Sequence, residues 1–251
     1  MKMLLITAFA MGFSSVLGVA AGFLLKKIPH KYNDAILGTA AGIMLAAAIL
    51  GLIVPASEFN LPYAFPMTIA GVFVGAFIVS ILDAVTPHLH RLAGLDQEKH
   101  PESHGAGKVL LFIAAIALHK IPEGLAAGVS FGTENTGDIL TVAGSISLQN
   151  IPEAMVIVAP LLTIGVSYRR TLLISLAIAV ISMVSTVIGY GIVSITSAIM
   201  PFILATAGGA MLYVVGDEMI PETHAHGHEK LATFSLVAGF MITLLLQKLL
   251  G

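Results

Sequence analysis

Eight long apolar stretches govern what this chain can become, at roughly 4–25, 36–57, 63–85, 108–131, 139–163, 171–195, 198–218 and 231–250. Each is long enough to cross a hydrocarbon core about 30 Å thick as a helix rising about 1.5 Å per residue. A backbone in lipid must satisfy its own polar groups, and segments of this length do so as helices. The expected fold class is an all-α integral membrane protein with eight transmembrane helices, a single domain over 1–251. With 57% hydrophobic and 10% charged residues, the chain has too little polar surface to cover a soluble globule. The absence of cysteine excludes disulfides and thiolate metal sites, and a net charge of -2 gives no reason to expect nucleic acid as a partner. Leu4 to Leu25 is longer than a secretory h-region and ends in Lys26-Lys27, so it is read as a retained first span.

An even number of spans puts both termini on one side of the bilayer. Alternate loops on one side receive Lys26, Lys27, Lys31, Arg91, Lys99, Lys108, Arg169, Arg170 and Lys230, and the other side only Lys2 and Lys248. The basic side is cytoplasmic by the positive-inside rule, which places the termini outside. Eight of the nine histidines fall on that same cytoplasmic side: His30; His88, His90, His100 and His104; and His224, His226 and His228. The loop at about 86–107 reads as a solvated linker or as a loop that holds metal loosely. The run Glu222-Thr-His-Ala-His-Gly-His-Glu229 alternates potential ligands, which a mere linker does not require. With Asp217 and Glu218 just before it, this run is either a cytoplasmic exit relay for metal or a charged helix end.

The ninth histidine lies inside an apolar stretch, in His119-Lys120-Ile121-Pro122-Glu123, and thirty residues later comes Gln149-Asn150-Ile151-Pro152-Glu153. On a helix, a spacing of four puts His119 and Glu123 on one face, and likewise Gln149 and Glu153. Each proline removes a backbone donor and frees a carbonyl one turn before it, those of Leu118 and Leu148. His119 lies eleven residues after Lys108, and Gln149 eleven after Asp138. Both are therefore roughly 16 Å into the span, near mid-membrane. On antiparallel helices the two combs of ligands meet at one depth.

A carboxylate in hydrocarbon is disfavoured by a few kcal/mol, so Glu123 and Glu153 need compensation. A divalent cation between two carboxylates, an imidazole and an amide oxygen supplies it, and this mixed nitrogen and oxygen set suits Zn²⁺, Fe²⁺, Mn²⁺ or Cd²⁺. The plainer alternative is a salt bridge from Lys120 to Glu123 or Glu153, capped by His119. Lys120 and Asn150 adjoin the two combs; an ammonium there repels a second divalent ion, so one metal is the simpler picture. The sixth span has no acid, and offers only Ser182, Ser185 and Thr186 near mid-depth. An intramembrane metal-dependent hydrolase, in which a glutamate activates metal-bound water, is the alternative of another class. No His-Glu-x-x-His is present to support it.

Two echoes suggest an internal repeat. Thr39-Ala-Ala-Gly-Ile-Met-Leu is similar to Thr206-Ala-Gly-Gly-Ala-Met-Leu, and Ile53-Val-Pro-Ala-Ser-Glu58 to Met219-Ile-Pro-Glu222. If spans 1–3 repeat as spans 6–8 around a central pair, the repeats are inverted, an arrangement that suggests a transporter.

At the paired motifs around His119 and Gln149 the chain resembles the ZIP family (Zrt/Irt-like proteins) of divalent metal transporters, in particular its bacterial GufA-like branch. The resemblance implies eight helices with both ends outside, a histidine-bearing cytoplasmic loop, inverted repeats of helices 1–3 and 6–8 around helices 4 and 5, and a homodimer. It implies metal uptake toward the cytoplasm through a bacterial or archaeal inner membrane, with Zn²⁺ or a similar ion as substrate and no cofactor. It also implies an elevator-like motion of helices 1, 4, 5 and 6 against 2, 3, 7 and 8. By position, His119, Glu123, Gln149 and Glu153 match the first metal site of the family's binuclear centre. Lys120 and Asn150 stand where the second site has its ligands.

Overall fold

The computed structural model describes residues 1–25, 29–85, 117, 119–133, 135–163, 165–193 and 198–250. The chain forms helices α1 (Lys2–Leu25), α2 (His30–Ser57), α3 (Ala64–Val85), α4 (119–129), α5 (Thr136–Thr163), α6 (Tyr168–Val193), α7 (Met200–Thr223) and α8 (Glu229–Leu250). Seven of these are long and apolar enough to cross a membrane, and α4 is described over its part after residue 118. Phe9, Phe73, Phe77, Val180 and Phe234 stand exposed on the outer faces, the surface that lipid solvates in a multi-pass membrane protein. Several helices extend beyond the apolar stretches. α2 starts at His30 directly after Pro29, α5 gains a first turn whose Gly137 N–H donates to Asn135 Oδ1 at 2.9 Å, and α7 runs on to Thr223. Polar end turns of this kind carry no hydropathy signal.

The packing follows an inverted repeat. α3 lies along α7, and α8 along α2; α1 packs on α5 and α6, and α4 on α6. One device recurs at four of these contacts. Gly18 and Gly22 of α1 face the carbonyls of Ile151 and Met155; Gly38 and Gly42 of α2 face those of Ala232 and Leu236. Gly71 and Gly75 of α3 face those of Phe202 and Thr206, and Gly124 and Gly128 of α4 those of Ser182 and Thr186. Each pair is a glycine repeat of four that lets two backbones touch, so that dispersion and weak Cα–H to oxygen contacts act where lipid offers no hydrophobic driving force.

The two sequence echoes have a structural counterpart. α2 widens into a π turn at Ile49–Ile53 and α7 does so at Val215–Met219, each two residues before a proline, Pro55 and Pro221. In each, the backbone N–H just before the proline reaches back five residues, Val54 to Ile49 and Ile220 to Val215. A proline has no N–H for the preceding turn, and one extra residue in that turn absorbs the mismatch.

Candidate metal site

α4 and α5 bring the two combs together. Lys120 is 3% exposed and Glu123 1%, while Gln149 and Asn150 are fully buried. The Lys120 ammonium donates to Glu123 Oε2 at 2.6 Å, to Asn150 Oδ1 at 2.8 Å, and to Glu153 Oε2. Asn150 is itself oriented by α1, its Nδ2 donating to the Met11 carbonyl at 3.4 Å. Pro152 sits inside α5 and leaves the Leu148 carbonyl without its helical donor. The salt bridge raised as the plainer reading of the sequence is therefore present, and it bridges both carboxylates.

That bridge does not complete the site. Two carboxylates against one ammonium leave one formal negative charge in an apolar bundle, and both polar atoms of the Gln149 amide and Oε1 of Glu153 have no hydrogen-bond partner. The outstanding donors are those of the comb on α5. His119 points elsewhere: its Nε2 lies 2.8 Å from Glu218 Oε1 on α7. Among the described residues no three histidine, aspartate or glutamate side chains are gathered ready to hold a metal ion. The reason is visible in these contacts, since Lys120 stands between the carboxylates and Glu218 holds the imidazole.

Glu218 reaches His119 because the π turn Val215–Met219 carries it, so one member of the acidic group at the end of α7 belongs with the central site. Asp217 is exposed, and Glu222 lies in the last turn of α7 and not in the loop. The three histidines separate. His224 is tied to its own helix end, His226 pairs with Asp34, and His228 begins the approach to α8. His88, His90, His100 and His104 lie outside the described residues. Ser182 and Thr186 spend their hydroxyls on α6, donating to the Ile178 and Ser182 carbonyls at 3.5 and 2.9 Å, and their backbones receive α4. They are packing residues.

Asp34 escaped the sequence reading. It is fully buried on the second turn of α2, and its partner His226 is 192 positions away. A lone aspartate just after a basic loop reads as a solvated helix start; only tertiary contact distinguishes it.

Residues 96–247 match the family model described as ZIP zinc transporter. The chain is 35% identical to zinc transporter ZIPB of Bordetella bronchiseptica over 94% of its own length and 81% of the relative's, and 35% identical to zinc transporter GufA of Myxococcus xanthus over 98% of both. It is 28% identical to human zinc transporter ZIP11 over 99% of its own length and 97% of that protein's. These matches span the paired α4 and α5 motifs, the inverted repeat and the α7 end together, and on them the chain belongs to the ZIP family.

Proposed function

We propose that this protein carries a divalent transition-metal cation, Zn²⁺ foremost with Cd²⁺, Fe²⁺ or Mn²⁺ as alternatives, toward the cytoplasm through the buried cluster of α4 and α5. The observation that supports it most is the double deficit at one depth: an uncompensated negative charge beside a buried, unpartnered Gln149 amide. A cation taking Glu123, Glu153 and the Gln149 amide oxygen supplies the missing positive charge and gives that oxygen a partner, and His119 completes the set on leaving Glu218. Between transport events Lys120, in the place a second cation would need, partly neutralises Glu123 and Glu153, and Glu218 keeps His119 occupied. All three relatives named above are zinc transporters, which favours Zn²⁺ among the ions this donor set suits. The protein acts as a carrier and not as a hydrolase, with the metal as substrate and no resident cofactor.

On this reading residues 1–251 form one transmembrane domain of a homodimer in a bacterial or archaeal inner membrane. Its termini are outside, and the 86–107 segment is on the cytoplasmic side with its histidines as loose metal ligands. The experiment is metal uptake into sealed vesicles, compared across Zn²⁺, Cd²⁺, Fe²⁺ and Mn²⁺ with peptide hydrolysis assayed alongside. Metal-dependent accumulation, strongest for Zn²⁺ and without hydrolysis, is expected. Hydrolysis without accumulation would overturn the reading.

A further inference from the structure

The turn between α7 and α8 gives its histidines different work. His224 has both ring nitrogens engaged: Nδ1 lies 2.8 Å from the Ile220 carbonyl and 3.0 Å from Thr223 Oγ1, and Nε2 lies 3.0 Å from Thr233 Oγ1. It ties the end of α7 to the start of α8 and has no lone pair free for a ligand. His226 is held at one nitrogen only. Its Nδ1 lies 3.0 Å from Oδ1 of the buried Asp34, and its ring stacks on that of His30, with centroids 4.8 Å apart and planes 26° from parallel. Gly227 follows with φ 81°, a left-handed conformation that turns the chain away directly after the histidine. Among the described residues nothing takes His226 Nε2.

An imidazole whose Nδ1–H is fixed by a carboxylate has its tautomer and its orientation set, leaving the Nε2 lone pair outward; metal-ligating histidines are oriented in this way. The second oxygen of Asp34, Oδ2, is buried and has no partner, so the carboxylate carries charge that its one hydrogen bond does not balance. A cation arriving at the imidazole would balance it. We infer that His226 Nε2 is a ligand for the divalent cation at this end of the bundle, with Asp34 as its positioning residue and His30 bracing the ring. One fixed nitrogen with water in the remaining positions makes a weak site, suited to an ion on its way out. The inference rests on the transport reading for the cation it handles, and on its own geometry for the site.

The test uses Zn²⁺ alone on the full-length protein in detergent and in vesicles. His226→Asn keeps an N–H for Asp34 and removes the imidazole lone pair. It should abolish one weak Zn²⁺ equivalent and slow uptake several-fold, with thermal stability unchanged. Asp34→Asn should keep the equivalent and weaken it about tenfold, the range typical of losing an orienting partner. If Asp34→Asn fails to fold, His226→Asn still decides. The same titration with Glu123→Ala and Glu153→Ala together separates the two readings, because a His226-dependent equivalent that persists there stands whether or not the midplane site carries transport. Unchanged Zn²⁺ binding and uptake in His226→Asn would make the pair a latch between the α7–α8 turn and α2, and would overturn the inference.

Discussion

The central residues are set by what each lacks. Glu123 and Glu153 share one ammonium, and on the proposed reading neither can replace the other as an anionic ligand at that depth. Glu123→Ala or Glu153→Ala should therefore lower uptake by at least about 100-fold at equal membrane abundance, beyond the loss usual for an outer-shell partner. Near-parental uptake by either variant would remove the glutamate from the site. Gln149→His exchanges an unpartnered amide for a better nitrogen ligand and should preserve or tighten Zn²⁺ binding. An unchanged affinity and metal preference in a titration would mean that Gln149 is no ligand. On the proposed reading Lys120 sets the number of ions, since its ammonium fills the place between the carboxylates that a second cation would need. Lys120→Asn with Asn150→Asp should raise bound metal from one toward two per protomer by elemental analysis. Two ions already bound to the unaltered protein, or one in the double variant, would refute that. A four-residue interval on a helix fixes a shared face, and by it the sequence singles out His119 with Glu123 and Gln149 with Glu153. The pairing of His119 with Glu218 was not legible, because a shared depth does not say which neighbour an imidazole chooses.

At the scale of elements, the apolar stretches foretold seven helix positions well and their polar ends less well, as with the last turn of α7 that carries Glu222. The echo of Ile53-Val-Pro with Met219-Ile-Pro pointed to a repeated feature. That the feature is a π turn is a matter of backbone hydrogen bonding, to which a proline in sequence contributes only a missing donor. The glycine repeats were present in the sequence as spacings of four, but which carbonyl each meets follows from the helix pairing. Gly75 meets the Thr206 carbonyl of α7 with no room for a Cβ. Gly75→Leu should separate α3 from α7 and destabilise the protein by about 1–3 kcal/mol, the usual cost of overpacking. Thermal unfolding in detergent checks this, with Gly144→Leu as the control, since that position is exposed and nothing lies within 4 Å of a Cβ there. Equal melting of the two variants would show that the glycine contact contributes nothing.

At the scale of the molecule, the four paired glycine-to-carbonyl contacts, with the packing of α1 on α6, sort the helices into two groups, α1 with α5 and α4 with α6 in one, α2 with α8 and α3 with α7 in the other. The proposed cation ligands of the central site belong to the first group, whereas Glu218, Asp34 and His226 belong to the second. Where α5 meets α2 the contact is apolar, with Val142 and Ile146 against Leu52 and the bare backbone of Gly51. Such a surface holds two groups together without directional bonds and so allows one to slide on the other, while His119 and Glu218 bridge them through a pair that cargo can break. If the site reaches alternate sides of the membrane by that sliding, a covalent tether across the contact must stop transport. A Cβ on Gly51 would lie 3.7 Å from that of Val142, inside the range of about 3.5–4.5 Å that a disulfide spans. Gly51→Cys with Val142→Cys introduces the only two cysteines in the chain, so no other thiol competes. Oxidised, the double variant should retain its fold and lose Zn²⁺ uptake to background; reduced, it should recover, the replacement of Val142 having made room for the new side chain. Uptake by the fully oxidised, cross-linked protein at the rate of its reduced form would show that the two groups move as one body, and transport would then need a motion within the first group alone.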